Sequence, residues 1–516
     1  MVDNTETELK LQFLAPGRWE ELFAAPVIQS LADPLSFRQE TLETQYYDTP
    51  GHRLQKAGLA FRIRREGAQW IATVKDRGKN VGGLYERAEW NVPLSAPQAD
   101  AGIFADTPVG PVLADTIGEE TLTAMFRTCF ERQRINLQLA DGSVVELAAD
   151  RGEIHAGGKE APLLEIELEL KAGKAGALLE LGAELAKSFP LLPEWRSKYF
   201  RALQLAGLAA AEEAAVPAVP PLSGGETAGE ALTGILISSI QGLLAAQEKF
   251  LHQQDVPEML RAWGSELWQL RSLLSFSEAL MPAEVYGEYQ QILTEWTDML
   301  TPLAELDPVL AVWRDIAEST ALHWTVPPVL GRILGEKRGQ LAAGLAEKLQ
   351  KGATTPALLS LWAWLTTTGL SGQLAVEPPD SMARPAFGDF VRKQLARWRE
   401  SILAAGKKID LQDTELICLL RLQALKICAI MAVLPLKWPK KIKRQHASLR
   451  KLLAGFDYLH DLKTTAEIIR NILKSQSSRL LYRDTGILTG WQAREARAVC
   501  RKLNKRWKKL LATESK

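Results

Sequence analysis

The sequence predicts two fold classes in series, a multidomain α+β chain with an antiparallel β domain first and an all-α helical bundle after it. Three observations carry this reading. In the first two hundred residues, short segments alternate with period two, charged on one face and apolar on the other, as half-buried strands do. In the second half the apolar period is close to 3.6. Between them Leu208–Thr227 reads LAAAEEAAVPAVPPLSGGET, where Pro217, Pro220 and Pro221 stiffen the chain and Gly224-Gly225 breaks any entering helix. The expected boundaries are 1–205 for the β domain, 206–227 for the linker and 228–516 for the bundle.

Composition bounds the function. The chain has 516 residues, more than one domain's usual length. With 46% hydrophobic and 24% charged residues it is neither disordered nor fibrous. Lys plus Arg and Asp plus Glu both number 62, but their distribution is uneven. Residues 1–200 carry 22 basic against 30 acidic side chains, and residues 201–380 carry 10 against 21. Residues 381–516 carry 30 against 11, so the last third is expected to meet a polyanion or an acidic partner, the chain's own acidic regions included. No recognisable nucleic-acid module accompanies that charge, so nucleic acid is not an expected partner. Unbroken apolar runs such as Ile427–Leu436 are shorter than the roughly 18 residues of a membrane span. The first ten residues, MVDNTETELK, lack the basic and apolar regions of a secretory signal. The four cysteines (Cys129, Cys418, Cys428, Cys500) have no metal-site spacing. A reducing, cytoplasmic location without membrane contact is expected.

The β domain is read strand by strand. Thr5–Phe13 puts Glu6, Glu8 and Lys10 on one face, with Leu9, Leu11 and Phe13 opposite. Leu59–Arg65 aligns Arg62 and Arg64, Gln69–Lys75 contributes Lys75, and Leu84–Trp90 aligns Arg87 and Glu89. Glu131–Leu139 aligns Arg132 and Arg134 against Ile135, Leu137 and Leu139. Val144–Asp150 ends in Asp150, and Leu163–Lys171 aligns Glu165, Glu167 and Glu169. Gly17–Leu31 and Lys174–Ser188 are helix-like. One such strand is ordinary in a sheet with a solvated face. A set of them is not, because aligned glutamates repel unless cations lie among them. Clustered carboxylates suit hard divalent cations such as Mg²⁺ or Mn²⁺. Clustered Arg and Lys suit phosphate oxygens. Together they describe a metal–polyphosphate site.

These residues resemble the CYTH family, the triphosphate tunnel metalloenzymes. The likeness begins with Glu6-x-Glu8-x-Lys10 and continues in order through Tyr46-Tyr47-Asp48-Thr49, Phe61-Arg62-Ile63-Arg64, Thr73-Val74-Lys75, Glu86-Arg87-Ala88-Glu89, Asp150, Glu165-x-Glu167-x-Glu169 and Ser197-Lys198-Tyr199. The resemblance implies an eight-stranded antiparallel tunnel with charges inside and helices outside, which can enclose one small ligand. It implies that Glu6, Glu8, Glu165, Glu167 and Glu169 hold one or two divalent ions, and that Lys10, Arg62, Arg64, Lys75, Arg87, Arg134 and Lys198 grip a triphosphate. Lys75 is then a candidate for activating the attacking water. Asp150 is a candidate for orienting a metal-bound water or a basic side chain. His52 and His155 match no family motif. The family's substrates include inorganic triphosphate, thiamine triphosphate and, in class IV adenylate cyclases, ATP. No base-reading constellation stands out, although Trp70, Trp90 and Trp195 are aromatic candidates for stacking on a ring, so inorganic triphosphate is the expected substrate. The alternative is a polyphosphate-binding scaffold without turnover.

In the second half, Glu230–Gln254, Pro257–Phe276, Pro282–Leu303, Pro328–Leu349, Pro356–Thr368, Phe387–Ala405, Thr414–Leu434, Lys437–Leu453, Leu459–Ser475 and Trp491–Leu511 read as amphipathic helices, several opening with Pro. The region resembles a CHAD domain, whose pattern runs roughly E-x-x-H-x-x-R-x-x-x-R-R-L-R. Here the first copy reads Glu258-Met259-Leu260-Arg261, then Gly264 and Trp268-Gln269-Leu270-Arg271, and the second reads Cys418-Leu419-Leu420-Arg421. Neither keeps the histidine, and His252, His323, His446 and His460 are not assigned as ligands. Basic residues concentrate at Lys437–Lys451 and along Arg494–Lys509, where inorganic polyphosphate is an expected partner.

Overall fold

Strands whose two faces differ in polarity can bury the charged face only by closing on themselves, and this chain does so. The computed structural model describes residues 5–209, 225–319, 327–370, 385–407, 409–476 and 478–514. The strands are β1 (Thr5–Phe13), β2 (Ala32–Asp48), β3 (Ala60–Glu66), β4 (Gln69–Lys75), β5 (Lys79–Val81), β6 (Leu84–Leu94), β7 (Thr123–Gln138), β8 (Val144–Ala156), β9 (Lys159–Ala172) and β10 (Leu191–Pro193). Antiparallel pairing runs β1-β9-β8-β7-β2-β3-β4-β6, and β6 pairs back onto β1. The result is the expected closed eight-stranded barrel, with β5 and β10 as short additions at its rim.

The outward residues build cores against helices α1 (Pro26–Leu31), α2 (Arg53–Ala57), α3 (Gly110–Ile117), α4 (Ala175–Ser188) and α5 (Lys198–Leu205). One core gathers Leu54, Phe61, Ile63, Ala72, Val74, Phe104 and Leu113, with Trp70 and Trp90 at its margin. These two tryptophans belong to the barrel's outer packing. The Tyr46–Thr49 motif has a local cause: buried Asp48 accepts hydrogen bonds from the backbone N–H groups of Thr49, Leu54 and Gln55, which seats α2.

Strand β2 has no counterpart among the strands read from sequence. Its first half is largely exposed, so it shows no apolar alternation, and its place is set by β7 and β3. The segment read as the helix Gly17–Leu31 is a short 3-10 turn, Pro16–Glu21, followed by α1.

The helical region contains α6 (Ala228–His252), α7 (Pro257–Phe276), α8 (Ala283–Ala317), α9 (Leu330–Gln350), α10 (Thr355–Thr367), α11 (Phe387–Ala405), α12 (Thr414–Val433), α13 (Lys440–Ser475) and α14 (Arg479–Glu514). The two helices expected at 437–453 and 459–475 are one. Gly455 is a packing residue inside it, where a Cβ would lie 2.8 Å from Leu503. Helix α8 continues through Pro302 and Pro308, beyond its expected end at Leu303, and α14 starts well before Trp491. Most of the linker, residues 210–224, and His323 lie outside the described residues.

The chain forms two compact units, Met1–Pro217 with Lys348–Thr367, and Ala218–Glu347 with Thr368–Lys516. The barrel unit thus takes in α10, a helix inside the stretch after 228 that was expected to belong to the bundle. This apolar helix packs on α4 in the barrel unit, where Leu359 lies against Gly182 and Thr367 against Gly176.

Among the described residues, two of the helices expected from the sequence, α6 and α12, are long and apolar enough to cross a membrane by length and composition, although neither holds an unbroken apolar run of that length. The most apolar stretch of α6 is 72% buried in its unit and that of α12 33%.

Candidate active site

The barrel interior is a lattice of alternating charges, and register explains its order. Lys10 faces Glu167 across β1–β9, Glu6 faces Arg87 across β1–β6, and Lys75 faces Glu89 across β4–β6. Asp150 lies between Arg132 on β7 and Glu165 on β9. Each pair sits on the inward side of its strands because the outward positions are apolar.

At the end closed by α5, Asp150 and Glu165 are fully buried. Arg132 grips Asp150 through two hydrogen bonds of 2.6 Å and donates a third, of 2.5 Å, to Glu167. The Lys198 ammonium sits among Asp150 (2.7 Å), Glu165 (2.5 Å) and Glu167 (2.9 Å). Arg201 closes the group at 3.0 Å from Glu165. Burial opposes every charge here. The Lys198, Lys10 and Arg132 cations nevertheless hold Glu167 well below the usual carboxylate range, whereas burial leaves Glu165 above it.

Midway along the barrel Lys10 Nζ lies 3.1 Å from Glu167 and 3.5 Å from Glu8, over the ring of Tyr85. Arg87 bridges Glu6 (3.2 Å) and Glu8 (2.6 Å), and Lys75 bridges Glu6 (2.8 Å) and Glu89 (2.7 Å). Arg62 reaches Glu89 only at 3.6 Å, and its Nε, though buried, has no hydrogen-bond partner. Arg64 donates to Thr44 at 3.0 Å, and its ion-pair partner Glu66 is 3.7 Å away. Burial, with Arg62 and Arg132 beside it, lowers the Arg64 guanidinium to about 10. The rings of Phe130 and Tyr85 separate neighbouring cations and offer no competing anion. At the opposite end, more exposed, Arg134 pairs with Glu40 and Glu146, and Lys171 with Glu169 and Glu146.

The thirteen residues named from sequence thus all line one barrel, at different depths. Glu165 is enclosed behind Lys198 and Arg201, while Glu169 and Arg134 stand at the open end. Sequence reading aligned Arg132 and Glu89 with Arg134 and Arg87 but gave them no role in the site, and it did not name Tyr85 or Arg201. Strand parity alone marks Arg132 and Glu89 as neighbours of Arg134 and Arg87. The pairing of Arg132 with Asp150 is visible only once β7 and β8 are in register. Oxygens of Asp150, Glu165 and Glu167 lie within 4.8 Å of one another, an all-oxygen donor set of the kind a hard divalent ion takes, with the Lys198 ammonium among them. His155, between Glu153 and Glu160, lies five residues beyond Asp150 on β8 and on the opposite face of the strand.

This charge lattice has family counterparts. Residues 4–199 match the CYTH domain family, and residues 235–470 match the CHAD domain family. The chain is a CYTH domain followed by a CHAD domain. Over 144 residues it is 36% identical to a Haemophilus influenzae protein named inorganic triphosphatase. That match covers 27% of this chain and 38% of the length of that relative. Among solved structures, a Hippeastrum protein described as having a dominant triphosphatase activity aligns with 40% of this chain and 98% of its own, at 18% identity and a TM-score of 0.30. The CHAD domain of Ricinus communis aligns with 58% of this chain and 96% of its own, at 14% identity and a TM-score of 0.43. In the helical region the basic residues read from sequence are exposed, Arg494, Arg497, Arg501, Lys505 and Lys508 among them, beyond the stretch that matches CHAD, whereas Trp507 is buried and donates to the Gly406 carbonyl at 2.8 Å.

Proposed function

We propose that the CYTH barrel hydrolyses a triphosphate, inorganic triphosphate in preference to an organic one, to pyrophosphate and phosphate with Mg²⁺ or Mn²⁺ as cofactor. The observation that carries this reading is the loosely paired guanidinium pair Arg62 and Arg64, whose nearest carboxylates lie 3.6 and 3.7 Å away, facing a carboxylate wall within one closed barrel. A buried guanidinium with its charge disfavoured by two others is relieved by an incoming anion. Bidentate forks and lysine ammonium groups match phosphate oxygens. The sequence likeness to a protein named inorganic triphosphatase supports the same reaction.

In this reading Lys10, Arg62, Arg64, Lys75, Arg87, Arg134 and Lys198, joined by Arg132, hold the phosphate oxygens. They offset the charge that builds on the leaving phosphate as water attacks the terminal phosphorus in line. Glu6, Glu8, Glu165, Glu167 and Glu169, with Asp150, form the carboxylate wall that would hold the metal, which when bound supplies Lewis-acid charge to the non-bridging oxygens. Asp150 keeps Arg132 and Lys198 in place, and Lys75, between Glu6 and Glu89, is the candidate that positions the water. The outward placement of Trp70 and Trp90 leaves them unable to stack on a base inside the barrel, and the third candidate, Trp195, packs its ring against Phe200, which favours an inorganic substrate. Phosphate release from inorganic triphosphate, ATP and thiamine triphosphate is compared side by side, with Mg²⁺, with Mn²⁺ and with EDTA. Inorganic triphosphate is expected to turn over fastest and EDTA to stop it. Faster hydrolysis of an organic triphosphate would overturn the substrate, activity in EDTA would overturn the metal, and binding without turnover would make the barrel a scaffold.

We further propose that the exposed basic face of α13 and α14 binds inorganic polyphosphate. Like charges at three- and four-residue steps along α14 repel one another, and a polyanion offsets that cost. Polyphosphate binding by the full chain is expected to weaken steeply as salt rises, and to weaken further when Arg497 and Lys505 are both changed to Glu. Unchanged binding in that variant would leave the face with no polyanion role.

A further inference from the structure

Outside the barrel, three helices of the second unit set a thiol, an imidazole and a carboxylate in a row. Cys418 Sγ on α12 lies 3.7 Å from His460 Nδ1 on α13. The other ring nitrogen, Nε2, lies 3.9 Å from Glu305 Oε1 on α8. All three residues are half-buried. Their neighbours in sequence, Ile417, Leu420 and Leu306, are buried in the helix packing and fix the backbones that carry them.

Because the imidazole presents one nitrogen to sulfur and the other to carboxylate, the three atoms do not converge on one point, and the array is a relay and not a metal cage. Charged groups around the ring come from all three helices: Arg421 on α12, Asp457, Asp461, Lys463 and Glu467 on α13, and Glu305 on α8. Asp457 holds Arg421 at 2.6 Å, which leaves Arg421 a fixed positive charge one turn from Cys418. Burial, then Arg421, hold His460 below its ordinary value, so near neutral pH the ring is free to accept a proton. Cys428, further along the same helix, is a natural contrast. Burial pushes its thiol up to about 11.

We propose that Cys418 is a nucleophilic thiol, served by His460 as base and by Glu305 as a positioning residue, that takes up small electrophiles and low-molecular-weight disulfides. With a disulfide RSSR, the Sγ proton passes to His460 Nδ1 and the sulfur attacks one sulfur of the reagent. A new S–S bond forms, the old one breaks, and the departing RS⁻ takes the proton from the imidazolium. Cys418 is oxidised to a mixed disulfide and half of the reagent is reduced to the thiol RSH. This chemistry is independent of the barrel and does not rest on the triphosphatase reading.

The test uses the native full-length chain at neutral pH, with iodoacetamide as probe and peptide mapping to follow each cysteine. Cys418 is expected to react at least about tenfold faster than Cys428. His460→Gln should slow Cys418 by about tenfold or more. Glu305→Gln should slow it by a smaller factor, with the Cys428 rate unchanged in both variants, because a merely loosened helix packing would speed Cys428 as well. Oxidised glutathione should add one glutathione, at Cys418. Equal rates at Cys418 and Cys428 would overturn the proposal, as would an unchanged Cys418 rate in His460→Gln. Should His460→Gln expose Cys428, the Glu305→Gln protein decides: an unchanged Cys418 rate with Cys428 still protected overturns the relay.

Discussion

Glu167→Gln is expected to lower kcat on inorganic triphosphate by at least about a hundredfold, the loss typical when one preorganised charge contact of a reaction centre is removed. Glu167 is the most connected carboxylate of the barrel, within 3.1 Å of Lys10, Lys198 and Arg132. Gln keeps its shape and removes its charge, so three cations lose a shared anion and the proposed metal wall loses a donor. The consequence separates binding from chemistry: KM is expected to change less than kcat, since the cations that hold the substrate remain. The measurement is steady-state phosphate release at limiting Mg²⁺, with circular dichroism to confirm the fold. Wild-type turnover in this variant would remove Glu167 from the proposed site. Glu8, 2.6 Å from Arg87 and 3.5 Å from Lys10, serves two cations and should show a similar loss as Glu8→Gln.

Asp150→Ala carries the largest expected loss of stability, about 3–5 kcal/mol, because it takes from two buried cations a carboxylate they share and leaves them only Glu165 and Glu167. Its carboxylate is wholly enclosed and engages both Arg132 and Lys198. Urea denaturation of the variant should show the midpoint falling with little change in slope. A loss below about 1 kcal/mol would mean that Glu165 and Glu167 hold both cations unaided. Exposed pairs such as Arg332–Glu336 provide the contrast, since their removal is expected to change stability by well under 1 kcal/mol.

The sequence was most legible where one strand face was apolar and the other charged. The bounds of β1 and β4, and of helices α7 and α11, agree with the periodicity because each of these elements buries one whole face. Strand β2 was silent because its first half is exposed and is held by neighbours far away in sequence. In the barrel, parity told which residues point inward, and depth is set by register. Arg134 and Arg132 therefore looked equivalent, although Arg134 stands at the open end, 39% exposed, and Arg132 sits at the closed end, 14% exposed. Glu165, the first of three glutamates with the same parity, likewise gave no sign that Lys198 and Arg201 would enclose it. In the helical region the break expected between residues 453 and 459 is absent, and Gly455 there supplies close packing against Leu503 within one helix.

The barrel unit includes Lys348–Thr367, and this sets a schedule for its folding during synthesis. Every strand of the barrel has been synthesised before residue 218 is made, yet the apolar helix that covers α4 follows only after some 130 further residues, a delay on the order of ten seconds at ordinary elongation rates. Through that interval the surface around Gly176 and Gly182 waits uncovered, where Thr367 and Leu359 will later rest. The nascent barrel must therefore persist as a nearly finished fold with one apolar face open, so its completion is paced by translation of the helical region and not by its own strands.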